Sequence, residues 1–112
     1  MTNTNHEDPL RKWKMEFPAT LIYGEKYKKV SSDAKIAYII LFNYLNKARK
    51  ENWRDDKGHL FFKFDYGELS DLFNWSLNKT KVVLYELEIE DMIEIVSDPS
   101  FGVIQRLYLV TP

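Results

Sequence analysis

The chain has 112 residues, no cysteine, and 16 Lys/Arg set against 17 Asp/Glu. That length fits one compact domain, and the missing cysteines exclude disulfides and cysteine-ligated zinc. The net charge of −1 hides an asymmetry: residues 1–54 carry eleven basic and six acidic side chains, residues 55–112 five and eleven. Basic clusters stand at Arg11, Lys12 and Lys14, at Lys26, Lys28 and Lys29, and at Lys47, Arg49 and Lys50. Such a distribution suits a charged binding face or self-association between unlike halves, and it equally suits solvated helix and loop faces. The longest uncharged apolar run, Ile36 to Asn46, is too short to span a bilayer, and no basic-then-apolar leader is visible. A cytoplasmic location without membrane contact is the resulting expectation.

In chain order, residues 1–16 read as a flexible or dimer-forming arm, and 17–112 as the folded domain. "FPATLIY" (17–23) has a strand-like bias with Pro18 at an edge position. "SSDAKIAYIILFNYLNKARKEN" is the clearest helix. Ser31 or Ser32 caps it, Asp33 complements its positive end, and Lys47, Arg49 and Lys50 complement its negative end. Ala34, Ala37, Tyr38, Leu41, Tyr44, Leu45 and Ala48 form one stripe, which Ile36, Ile39, Ile40 and Phe42 widen. A helix apolar over so much of its girth is central or dimer-forming. Asp55, Asp56 and Gly58 then make a turn into a short strand, "HLFFKF".

Asp65 with Glu68 three residues on is a capping-box start for a short helix with Leu69, Leu72 and Phe73 inside. Asn74 ends it in the left-handed conformation. Ser76 caps the next helix, which runs to about Glu90. "MIEIV" and "VIQRLYLV" are strands joined by the turn "SDPSFG". The order helix, strand, helix, tight turn, helix, strand, turn, strand is that of an α+β winged helix-turn-helix, with a long central helix and a C-terminal β-hairpin wing.

Counting from Ser76 puts Leu77, Thr80, Val83, Leu84 and Leu87 on the buried stripe and Asn78, Lys81, Val82 and Tyr85 opposite, with Lys79 beside the helix start. Residues at the start of such a helix contact base edges and phosphates. Asn pairs with adenine, Lys reaches guanine or phosphate, Val82 meets a thymine methyl, and Tyr85 bonds a phosphate. The other reading is a solvated face of ordinary helix formers. Trp75 is expected to pack near Thr80 at the start of the helix. The wing is poorer in cations: Asp98 stands in its turn facing phosphate, Arg106 is the basic residue nearby, and Phe101 packs at the turn.

The blocks "VSSDAKIAYIILFNYL", "NWRDDKGHLFF" and "SLNKTKVVLYELE" resemble the plasmid replication initiator family of low-GC Gram-positive bacteria, its N-terminal RepA-type domain, with similarity from Phe17 onward. The resemblance implies a winged helix-turn-helix that binds direct repeats in a plasmid origin as a homodimer, followed by a C-terminal region that recruits host replication proteins. It places the recognition helix at Ser76 to Tyr85. Family members carry a glycine after this helix where Asp91 stands, and Asp also adopts that backbone. The DNA-binding set is then Ser76, Asn78, Lys79, Lys81, Val82, Tyr85 and Arg106, with Lys12 and Lys14 on an arm that contacts DNA or forms a dimer interface.

Enzyme chemistry finds no footing. No glycine-rich phosphate loop is present, and the histidines are His6 and His59 alone. His6, Glu7 and Asp8 make a metal trio only on paper, and Asp65, Glu68 and Asp71 sit where a helix start wants carboxylates. The expectation is a double-stranded DNA reader with no cofactor and no metal. The alternatives are a transcription regulator of the same fold and a replisome organiser-like protein-interaction module.

Overall fold

The structure is a computed structural model, and it describes residues 18–98 and 104–110. Helix α1 (Thr20–Tyr23) and a 3-10 turn (Glu25–Tyr27) lead into the long helix α2 (Ser32–Glu51). Strand β1 (Phe62–Phe64), helices α3 (Tyr66–Phe73) and α4 (Leu77–Ile89), and strands β2 (Ile93–Ser97) and β3 (Gln105–Leu109) follow. The three strands form an antiparallel sheet in the order β1-β3-β2. This is the expected winged helix-turn-helix, with one correction at its start.

That correction concerns "FPATLIY", where residues 20–23 are helical and not extended. A half-buried strand hides every second side chain, whereas here Leu21 is fully buried and Ile22 and Tyr23 both face out. Pro18 precedes the turn and its carbonyl accepts from the Leu21 N–H at 3.0 Å, a position proline tolerates well. Gly24 closes the turn because a Cβ there would lie 2.5 Å from the Thr20 carbonyl oxygen.

Helix α2 is the axis of the core. The Ser31 hydroxyl accepts from the Ala34 N–H at 3.1 Å, and Asn52 ends the helix at φ 56° with its N–H on the Ala48 and Arg49 carbonyls. Ala34, Ala37, Tyr38, Leu41 and Ala48 are buried, while Ile39, Ile40, Phe42, Tyr44 and Leu45 pack against the core from its margins. The broad apolar girth is thus largely consumed within one chain, although Ile36 remains exposed. The Tyr38 hydroxyl donates to the Val110 carbonyl at 2.6 Å and fixes the end of the sheet to this helix.

Asp55 organises the α2–β1 turn, its carboxylate accepting from the N–H groups of Lys57 and His59, both at 2.9 Å. Phe62 and Phe64 then point inward with Lys63 out. The capping box forms: Asp65 accepts from the Glu68 N–H at 2.8 Å and the Glu68 carboxylate accepts from the Asp65 N–H at 3.0 Å. Leu69 and Phe73 are buried, and Leu72 stays partly exposed at the edge. Asn74 at φ 59° and Asp91 at φ 57° both adopt the left-handed backbone expected of them.

Candidate nucleic-acid interface

Three residues, Asn74 to Ser76, separate α3 from α4. The Ser76 hydroxyl accepts from the Lys79 N–H at 3.1 Å, so its role is to start the helix. Thr80, Val83, Leu84 and Leu87 are buried as the periodicity requires, and the Thr80 hydroxyl donates to the Ser76 carbonyl at 2.9 Å. Leu77 departs from the expected stripe. It is 47% exposed, because the first turn projects past the core that α2 and α3 supply.

The outward stripe is the expected one and extends further. Asn78, Lys81, Val82 at 61% exposure and Tyr85 at 64% lie along one face, and Ile89 continues it. Glu86, the first residue of the acidic tail, leaves that face. It turns towards α2, where its carboxylate accepts from the Ser31 N–H at 2.8 Å and the Ser31 hydroxyl at 2.7 Å. Glu88 is half-buried near Tyr66, whose hydroxyl is pushed above its ordinary pKa by burial and by that carboxylate.

Both lysines rest on aromatic rings. The Lys79 ammonium lies 4.6 Å from the Trp75 ring centre and 3.3 Å from the Asp33 carboxylate. The Lys81 ammonium lies 5.4 Å from the Tyr66 ring centre. Trp75 is half-buried beside Phe73, with ring centres 5.2 Å apart. The platforms restrict where each cation sits and reduce the rotamer entropy lost on contact with an anion. Chain spacing carries no signal for Asp33, Glu86 or Tyr66 in these roles, since each meets its partner from a different element.

The wing is built differently. Asp98 is buried, not facing phosphate, and accepts from Arg106 Nε at 3.1 Å. The Arg106 guanidinium lies 4.4 Å from the Phe61 ring centre and is held above its ordinary pKa by Tyr108 and Asp98. Tyr108 donates in turn to Asp55 at 2.9 Å, and Asp55 is held below the usual carboxylate range, mainly by the His59 backbone N–H. Arg106 is thereby committed inward. Lys12, Lys14, the trio His6, Glu7 and Asp8, and Phe101 lie outside the described residues. Among the described residues no group of three or more His, Asp or Glu could hold a metal ion, and no helix is long and apolar enough to cross a membrane.

The family model described as "Replication initiator protein A (RepA) N-terminus" matches residues 14–111. The chain belongs to this family. Similar solved structures agree with that membership. A Rep–DNA complex shares the fold at 24% identity and a TM-score of 0.80, covering all of this chain and 84% of that one. The N-terminal domain of a DNA-binding protein matches at 26% identity and a TM-score of 0.78, over 96% of this chain and 83% of that one. An MDR initiator matches at 30% identity and a TM-score of 0.75, over 95% and 85%. No curated protein matches the chain. The chain therefore has the architecture of a replication initiator N-terminal domain, and α4 is the second helix of its helix-turn-helix.

Proposed function

We propose that this domain binds double-stranded DNA at direct repeats of a plasmid origin, as a homodimer, and marks that origin for replication. The observation that carries the reading is the outer face of α4. Asn78, Lys81, Val82 and Tyr85 share one exposed stripe, while Glu86 is turned to Ser31 and Glu88 lies at the stripe's edge near Tyr66. A face of that width fits the major groove, where Asn78 suits an adenine edge, Lys81 a guanine or phosphate, Val82 a thymine methyl and Tyr85 a phosphate. Ser76 contributes by starting the helix, and Arg106 by holding the wing. Lys12 and Lys14 supply flanking positive charge. The role is one of binding and not of catalysis, it takes place in the cytoplasm, and host replication proteins are recruited by other parts of the initiator.

Fluorescence anisotropy over a salt series tests this, with duplexes carrying direct repeats of the parent replicon compared with shuffled duplexes. Repeat-dependent binding that weakens steeply with salt is the expected result. Weak binding indifferent to sequence would instead favour the protein-interaction module. The dimer is tested by sedimentation, and a monomer at tens of micromolar would remove that part of the proposal.

A further inference from the structure

The two lysines at the start of α4 are not equivalent. Lys81 rests on Tyr66, whereas Lys79 rests on Trp75 and also pairs with Asp33 at 3.3 Å. Asp33 lies in the first turn of α2, so this pair joins the first turns of the two helices. Its members are 44% and 49% exposed, which makes the pair weak enough to exchange with another anion. Asp33 complements the positive end of α2 together with Glu86, which accepts two hydrogen bonds from Ser31. What Asp33 adds is a negative oxygen beside a cation on the helix that faces DNA.

We infer that Asp33 is a determinant of DNA affinity: its carboxylate holds Lys79 as an internal stand-in for phosphate, and Lys79 reaches DNA only by leaving it. The inference rests on the DNA-binding reading of α4. Every complex that uses Lys79 gives up the pair with Asp33, on matched and mismatched sites alike. Asp33 therefore lowers affinity overall and leaves the ratio between sites unchanged. By lowering affinity for every site this keeps loose electrostatic binding low, so that only complexes held by the base-reading face persist.

The experiment compares wild type, Asp33→Asn, Lys79→Gln and the double variant by anisotropy on repeat and shuffled duplexes across a salt series. Asp33→Asn is expected to tighten binding to both duplexes about two- to fivefold at low salt, as release of an exposed ion pair allows. It should also steepen the salt slope by about one, as one more phosphate contact does. In the Lys79→Gln background the same substitution should change neither quantity. Unchanged or weaker binding by Asp33→Asn overturns the inference, and so does a gain that persists without Lys79, since the carboxylate would then be acting on phosphate directly. Thermal melting accompanies each variant, and Asp33→Ser, a residue equally at home in a first helical turn, replaces Asp33→Asn if the latter does not fold. A wild-type domain that binds no duplex at low salt counts against the DNA-binding reading and takes the inference with it. A wild type that binds while Asp33→Asn merely matches it counts against the inference alone.

Discussion

The helix-turn-helix and the wing use their charges in opposite ways. On α4 the lysines lie over aromatic rings at the surface, and Asn78, Val82 and Tyr85 are left without a buried role. In the wing, the basic residue among the described positions is turned back onto a buried carboxylate and a phenylalanine ring. One region leaves its chemistry exposed, and the other spends its chemistry on holding a hairpin in place. The presence of a cation in a suitable element therefore says little about binding until its partners are known.

The largest effect should come from cutting the support beneath the presenting region. Leu84→Ala removes a fully buried side chain between α4 and the core and is expected to cost about 2–5 kcal/mol in urea denaturation. Val96→Ala, on the half-exposed face of β2, should stay within about 0.5 kcal/mol. Equal losses at the two positions would break the comparison. Next comes the face itself. Asn78→Ala is expected to lose about 1–3 kcal/mol of binding to the repeat duplex and little to the shuffled one. Lys81→Gln should weaken both and flatten the salt slope by about one. Arg106→Gln should lower the melting temperature because the Arg106 Nε contact with the buried Asp98 carboxylate is lost, and leave the salt slope alone. A slope that flattens with Arg106→Gln would return that residue to the DNA-contacting set.

The helix ends were open to reading in the sequence because capping is local. Ser31, Asp65, Asn74 and Ser76 each act on N–H or carbonyl groups within a few residues, and each behaves as its residue type requires. The outer face of α4 was equally legible, being a matter of counting at helical spacing. Thr20–Tyr23 is helical and not extended because β-branched and aromatic residues favour strands only where a neighbouring face exists to pack against, and here Leu21 alone is buried. Leu77 obeys the helical period and still lies exposed, because period says nothing about where the core ends. Asp33 beside Lys79, Ser31 beside Glu86 and Asp98 beside Arg106 come from other elements or from across a hairpin, and no spacing rule reaches them.

A smaller effect is expected at the start of α4. Ser76→Ala removes the acceptor for the Lys79 N–H and should cost about 1 kcal/mol, read by urea denaturation. Because the same turn sets the direction of Asn78, binding to the repeat duplex should fall together with stability. A variant that loses stability and keeps full affinity would show that the face tolerates fraying at its start.

The finest test concerns what joins the two regions. Tyr38, on the central helix, donates to the Val110 carbonyl just past β3, and burial pushes its hydroxyl pKa up from 10.0 to about 12, with a smaller contribution from Tyr27. A folded-state pKa above the unfolded one means that unfolding makes ionisation easier. The contribution of Tyr38 is then fully present below pH 10 and is lost as pH rises towards 12. Tyr38→Phe should cost about 1 kcal/mol at neutral pH, the usual net value of one hydrogen bond. Above pH 10 the gap between the variant and the wild type should narrow, because the wild type alone is losing this contribution. Tyr66 and Tyr108 are also raised, so both proteins will weaken in alkali, and the difference between their curves carries the information. A gap that stays constant through pH 12 would mean that the Tyr38 hydroxyl ionises as easily in the folded protein as in the unfolded chain.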